Sequence, residues 1–261
     1  MKIYLAGPLG FSEAGRAFHQ ERIVRNLTAL GHAALDPWSD HPPPGVDAPL
    51  AAEIAARHGT NSATSAIVDV SEEAQVEALA AATVARFGQI DILVNNAALF
   101  APLQEQPFET IDVALWDRVM AVNVRGMFLV AKHVAPHMIA RRYGKIINIG
   151  SGTAARGIPN MLHYVTSKGA VTAFTRALSR ELGAHNICVN TLAPGFTISD
   201  SVVAHNPGHL ESARAPAIAR RALKRDEVPE DLVGTLIFLA SAESDFITGQ
   251  TIAVDGGANN T

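Results

Sequence analysis

Only one cysteine, Cys188, occurs among the 261 residues, so no internal disulfide can form and a disulfide-stapled scaffold is excluded. It lies in the apolar run from Ile187 to Leu192, where a buried structural thiol is expected rather than a nucleophile. Aromatic residues are scarce, at 6% against 48% hydrophobic overall. Alanine and valine carry much of that apolar content, which suits parallel strands sandwiched between helices. No lysine- and arginine-rich run is present: the one short basic cluster, Arg220, Arg221, Lys224 and Arg225, is broken by alanine and leucine, and the formal charge is -4. A nucleic-acid partner is therefore not expected. No apolar stretch is long enough to span a bilayer, and the first apolar run is broken by Gly7 and Pro8 too soon for a signal peptide. The expectation is a soluble, cytoplasmic protein with no membrane partner. No internal repeat or low-complexity tract is visible, and no metal site is assigned.

What is present is alternation. Strand-like runs at Ile3–Ala6, Ala33–Leu35, Ser65–Val68, Ile92–Val94, Lys145–Ile149, Ile187–Leu192 and Thr251–Val254 are separated by helical patterns. The helical patterns are Ser12–Leu30, Pro49–His58, Ser71–Phe87, Ile111–Arg141, His163–Leu182 and Pro229–Ala240. Ser71 followed by Glu72 and Glu73 predicts a helix start with a capping hydroxyl, and Gly88 and Gly183 stand where helices should stop. Strand–helix alternation predicts an α/β fold: one doubly wound, Rossmann-type parallel sheet of about seven strands with helices on both faces. It uses the whole chain, 1–261, as a single domain, with His41-Pro-Pro-Pro-Gly45 in a surface loop.

The strongest chemical signal is Ser151 with Tyr164 and Lys168. Residues four apart on a helix share a face. A phenol titrates near pH ~10 unaided, and a neighbouring ammonium would lower that value, making tyrosine a usable general acid/base. Ser151 follows the strand run Lys145–Ile149, at the carboxyl edge of the sheet where doubly wound folds bind ligands. Alone, Tyr-x-x-x-Lys is more often an exposed helix face. Here it stands in series with Asp91-Ile-Leu-Val-Asn-Asn-Ala97, Asn123-Val-Arg-Gly126, Val189-Asn-Thr-Leu-Ala-Pro-Gly195 and Phe246-Ile-Thr-Gly-Gln-Thr-Ile-Ala-Val-Asp-Gly-Gly257.

From about residue 49 to residue 261 this ordered series resembles the short-chain dehydrogenase/reductase family. The resemblance implies an oxidoreductase moving a hydride between a nicotinamide cofactor and a small alcohol or ketone. It implies Tyr164 as acid/base, Lys168 lowering its pKa and holding the nicotinamide ribose, Ser151 orienting the substrate oxygen, and Asn123 holding a relay water. Cofactor contacts would come from Asp69 and Val70 at the adenine, Asn95 and Ala97 along the adenosine ribose, and Pro194, Gly195 and Thr197 at the nicotinamide end, with Tyr164 and Lys168. For Asn95, Asn96 and Asn123, simple strand-end hydrogen bonding is the competing reading. The family also implies a homo-oligomer, expected as a tetramer, assembled through the helices at Ile111–Arg141 and His163–Leu182 and the last strand.

The first strand–helix–strand unit departs from that family. In place of Thr-Gly-x-x-x-Gly-x-Gly, whose backbone N–H groups approach a pyrophosphate, the chain reads Tyr4-Leu-Ala-Gly-Pro-Leu-Gly-Phe-Ser-Glu13. Gly7 and Gly10 remain as candidate cofactor contacts, but Pro8 has no N–H, and Glu13 adds negative charge. Residues 1–40 are similar instead to the opening of nucleoside 2-deoxyribosyltransferases, whose catalytic carboxylate motifs are not found here. Asp36, at the end of the second strand, stands where an acid would take the adenosine ribose hydroxyls, favouring NAD without excluding NADP; capping before Pro37 is the alternative. The alternative function is an impaired nucleotide-binding protein whose loop no longer holds dinucleotide. Residues 196–225, with Asn206-Pro-Gly208, read as a flexible substrate lid, and Phe100, Leu162 and Phe196, with His163 nearby, predict a modestly hydrophobic substrate.

Overall fold

The structure, a computed structural model, describes residues 2–6, 33–38, 63–199, 202–203 and 207–259. Strands β1 (Lys2–Ala6), β2 (Ala33–Trp38), β3 (Ala63–Ile67), β4 (Ile92–Asn95), β5 (Gly144–Ile149), β6 (Ile187–Pro194) and β7 (Thr251–Val254) join one sheet in the order β3-β2-β1-β4-β5-β6-β7. Every neighbouring pair is parallel. The order turns back between β1 and β4, so the strands on either side of that point lead their chains away in opposite directions and leave a crevice at the carboxyl edge.

Alternation along the strands sends side chains to two cores. Leu93, Ile146, Ile187 and Val189 face one, packed with Val76 and Leu79 of helix α1 (Glu73–Phe87), Val119 of α2 (Val113–Met120) and Val130, Val134 and Met138 of α3 (Met127–Arg141). Tyr164 and Leu182 of helix α5 (Leu162–Leu182) join the same cluster. Ile92, Val94, Ile147 and Leu192 face the other, under Val233, Leu236, Leu239 and Ala240 of α7 (Glu230–Ala240). Strands buried on both faces read as near-continuous apolar runs, which is why Ile-Leu-Val and Ile-Ile were legible as strands.

Several local readings change. The expected single helix over Ile111–Arg141 is interrupted by a π segment, Ala121–Gly126, between α2 and α3. A Cβ on Gly126 would lie 2.7 Å from Val70 Cγ2, so glycine lets this turn approach the loop after β3. Ser71 does not cap α1: its hydroxyl donates to Asp69 Oδ1 at 2.6 Å, and Glu72 occupies the cap position with no side-chain bond. Gly88 ends α1 in the left-handed region at φ 81°; Gly183 likewise caps the end of α5, but in the right-handed region, and Asn186 after the following 3-10 turn takes the left-handed conformation at φ 57°. Pro207 and Gly208 begin helix α6 (Pro207–Arg220), and Asn206 lies outside the described residues. The helical readings at Ser12–Leu30 and Pro49–His58 and the proline loop at residues 41–45 lie outside the described residues. Among the described residues no helix is long and apolar enough to cross a membrane.

Candidate active site

Parallel strands end on one edge, so the residues after β4, β5 and β6 converge. Asn95 closes β4, Ser151 follows β5, and Pro194 ends β6 with Gly195 after it. Helix α5 lays Tyr164 and Lys168 against that edge, with 6% and 4% of each exposed. Both residues, with Ser151, line a cavity of about 420 Å³. Its walls include Phe100, whose ring centroid lies 4.8 Å from that of Tyr164.

The electrostatics of the pair differ from the sequence expectation. Burial pushes the Tyr164 phenol up to about 12, with a hydrogen bond to Ser151 pulling partly the other way. Burial also lowers Lys168 to about 8. The Lys168 ammonium does not overcome that burial, for a geometric reason. Its Nζ donates to the Ile149 carbonyl at 2.8 Å and sits 5.8 Å from the tyrosine ring centroid. In this chain alone desolvation outweighs the ammonium. Ser151 Oγ in turn accepts from Thr153 Oγ1 at 3.0 Å and Thr153 N at 3.3 Å, which fixes its rotamer beside the phenol.

The asparagines are partly structural. Asn123, in the π segment, accepts from Leu99 N at 2.7 Å and donates to Leu99 O at 3.2 Å and Ser167 Oγ at 3.0 Å. Both its donor hydrogens are taken, and one acceptor lone pair on Oδ1 is left. Asn95 Nδ2 donates to Asn148 Oδ1 at 2.8 Å; Asn148 Nδ2 then donates to Thr175 Oγ1 at 2.8 Å, which meets Thr191 Oγ1 at 2.7 Å. This buried chain ties β4, β5, α5 and β6 together. Asn95 Oδ1 and Asn96 Nδ2 are buried with no partner among the described residues. Such orphans are costly and mark where a polar ligand would complete the site. Asn95, Ala97, Asn123 and Lys168 also surround a small void of about 10 Å³ beside Val70, close to the least that one water needs.

The other sequence-predicted residues are placed as follows. Asp69 and Val70 follow β3; Asp69 Oδ1 accepts from Ser71 N at 2.9 Å, Asp69 Oδ2 lies 3.3 Å from Arg118, and Val70 is buried under Gly126. Burial would raise the Asp69 carboxyl, but Ser71 and Arg118 together hold it below its usual range. Asp36 lies within β2, in register with Ser65. Gly7 and Gly10 lie outside the described residues. Phe196 lines the cavity with Phe100, whereas Leu162 is exposed and His163 is fully buried, with neither ring nitrogen partnered among the described residues. Cys188 is buried and its Sγ lies 3.4 Å from the Asp245 carbonyl, as expected of a structural thiol.

Sequence reading missed the clamp under the β6 end. Glu227, 4% exposed, accepts from Gly195 N at 3.0 Å and Thr197 Oγ1 at 2.7 Å, and lies 3.2 Å from Arg221, itself 3% exposed. Arg221 also donates to the Phe196 carbonyl at 2.7 Å and the Arg225 carbonyl at 2.9 Å. A Cβ on Gly195 would come within 2.5 Å of Glu227 Oε2, so only glycine fits there. Arg221, in the segment read as a flexible lid, and Glu227, just past it, gave no periodic signal that they were buried.

Sheet order, edge and the buried Tyr/Lys pair beside Ser151 define a Rossmann-type site of the short-chain dehydrogenase/reductase class. The chain belongs to that family: residues 45–259 match the family model described as enoyl-(acyl carrier protein) reductase. Over 196 residues it is 37% identical to the 3-oxoacyl-[acyl-carrier-protein] reductase of Thermotoga maritima, covering 73% of this chain and 75% of that protein. Over 183 residues it is 39% identical to the 2-dehydro-3-deoxy-D-gluconate 5-dehydrogenase of Escherichia coli, covering 70% of each. Among solved structures, levodione reductase superposes with a TM-score of 0.83 at 27% identity, covering 98% of this chain and 96% of that one. A short-chain glucose/ribitol dehydrogenase from Brucella melitensis gives 0.79 at 27% identity, covering 100% and 97%. These relatives support NAD(P)-dependent oxidoreduction and do not favour an impaired nucleotide binder.

Proposed function

We propose that the chain interconverts a small alcohol and its carbonyl compound with a nicotinamide cofactor, using Tyr164 as general acid/base. The observation that carries this reading is the buried Tyr164, flanked by Ser151 and Lys168 on the wall of a largely apolar cavity. When bound, the dinucleotide supplies or accepts the hydride. The orphaned Asn95 Oδ1 and Asn96 Nδ2 fit a polar ligand along this edge, and Ala97, Pro194, Gly195, Thr197, Tyr164 and Lys168 would hold it, with Asp69 and Val70 at the adenine end.

In the reducing direction Tyr164 gives its proton to the substrate oxygen, which the Ser151 hydroxyl orients. A phenol at about 12 is a proton donor at neutral pH. The tyrosinate left behind is stabilised by the Lys168 ammonium, which is protonated below about pH 8. A water in the void beside Asn123 and Lys168 would return the proton. Asp36 favours NAD, and residues 196–225 close over the substrate as a lid. Subunits assemble as a tetramer through α3, α5 and the edge strand β7: Phe128 on α3 is 49% exposed, and Phe246 just before β7 is fully exposed. Light scattering that gave a monomer at micromolar concentration would overturn the assembly. The activity is tested by screening secondary alcohols and ketones against both nicotinamide cofactors and following cofactor absorbance. Turnover is expected with the NAD pair, and silence across the panel would refute the reading.

A further inference from the structure

The mouth of the catalytic cavity carries two cations that the reaction does not use. Arg156 ends the short helix α4 (Thr153–Arg156) and Arg220 ends α6; both line the same cavity as Tyr164 and Phe100. Position at a helix end is the ordinary explanation of such a residue, but a four-residue helix has little dipole to offset. Of the four arginines between 214 and 225, Arg214 pairs with Asp226, Arg221 with Glu227 and Arg225 with Asp231. Arg220 alone turns to the cavity, and among the described residues no hydrogen bond or ion pair engages it or Arg156.

The carboxylates nearby are committed elsewhere. Asp255, whose charge favours Arg156, accepts from the backbone N–H groups of Gly257, Ala258 and Asn259 at 3.0 Å each and from Asn259 Nδ2 at 2.6 Å. Glu227 is held by Gly195, Thr197 and Arg221. Glu105, which also lines the cavity, has an interaction of its own. Burial first, and the charge of Arg220 second, hold the Arg156 guanidinium below its usual range, as fits a cation short of a counter-ion. Both guanidinium groups are exposed at the rim of a cavity walled by Phe100, Ile158, Pro159 and Phe196, where water screens their repulsion, and their planar forks match a carboxylate.

We propose that Arg156 and Arg220 form a carboxylate-binding subsite at the mouth of the catalytic cavity, so that the compound presented to Tyr164 is a hydroxy or oxo acid with an apolar body. The inference rests on the oxidoreductase reading above. It is tested with benzoylformate and its methyl ester as probes, using the full chain and the variants R156A/R220A and R156K/R220K. Calorimetric titration should show benzoylformate binding to the unaltered protein, at least ~10-fold weaker binding to R156A/R220A, and an intermediate affinity for R156K/R220K. The ratio of kcat/KM for acid over ester should fall by a similar factor in R156A/R220A. Equal affinity in unaltered and R156A/R220A proteins, or no binding of benzoylformate at millimolar concentration, overturns the subsite. So does a loss of NADH affinity in R156A/R220A with acid discrimination intact, which would give the arginines to the cofactor phosphates. Absence of turnover of both acid and ester with either nicotinamide cofactor, alongside arginine-dependent benzoylformate binding, would instead sink the oxidoreductase reading and leave the subsite standing.

Discussion

The two sides of the cleft are specified by different kinds of residue. On the side proposed for the nicotinamide, Ser151, Tyr164, Lys168, Asn123 and Gly195 each answer to a specific neighbour: Thr153, Phe100, the Ile149 carbonyl, Leu99 and Glu227. On the adenine side the sheet is completed by β1 and β2 in parallel register with β4 and β3. Yet the connecting sequence Gly7-Pro-Leu-Gly10 is not the family's, and the family match begins only at residue 45. A strand slot can accept any strand of suitable length and apolarity, because backbone hydrogen bonds are indifferent to side chains. A phosphate loop cannot, because it needs particular N–H groups and glycines. The comparison thus separates strand pairing, which depends little on side chains, from a phosphate loop, which depends on particular residues.

The sharpest way to break the comparison is Tyr164→Phe. If the nicotinamide side is complete, turnover should drop at least ~100-fold, the usual scale for a positioned acid/base, with circular dichroism unchanged; retained turnover would remove Tyr164 from the mechanism. On the other side, replacing Ala6–Glu13 with a Thr-Gly-x-x-x-Gly-x-Gly loop should tighten NADH binding by tens- to about a thousand-fold in a fluorescence titration. One or two regained charge-assisted bonds at ~1.5–3 kcal/mol each set that scale. If the unaltered chain already binds NADH at low micromolar concentration, its loop is competent and the contrast collapses.

Glu227→Ala probes the clamp. Leaving Arg221 buried without its acid should cost about 3 kcal/mol, some 6–12 °C in Tm for a chain of this size; an unchanged Tm would mean that the pair contributes nothing net. The smallest effect is with pH. Lys168 is protonated below about 8 in the fold, against an ordinary value of 10.5. Carbonyl reduction should therefore decline as pH rises through about 8, by roughly tenfold per unit beyond it. A kcat/KM profile flat to pH 10 would show that the ammonium is not needed.

The sheet and the Tyr164/Lys168 face were legible because both rest on local periodicity: two for strands, 3.6 for helices. The motif order carried Ser151, Asn95 and Asn123 to one edge once parallel pairing was assumed. What stayed hidden depends on contacts distant in sequence. Nothing in the residues around Glu227 announces that it faces Gly195, thirty-odd positions away, and nothing around Lys168 announces that the Ile149 carbonyl takes its ammonium. The Ser71 cap failed for a related reason, since Asp69, two residues earlier, offers its hydroxyl a better acceptor. The π segment left no trace in a pattern that reads as continuous helix from residue 111 to residue 141.

That π segment also sets a limit on how far the protein can be stabilised by idealising its backbone. Six residues, Ala121–Gly126, fill a turn wound wider than the helices on either side, and such insertions cluster at functional sites. Deleting Val122 or Val124 would let α2 and α3 run as one regular helix, the kind of change that consensus engineering favours. The wide turn already holds one residue more than a regular turn, so α2 and α3 would keep their register while the backbone inside the segment rewinds. The Asn123 amide would then swing away from Leu99 and Ser167. A hardier helix and an intact cleft are therefore alternatives in this chain, and selection for heat resistance alone would be expected to find the first by losing the second.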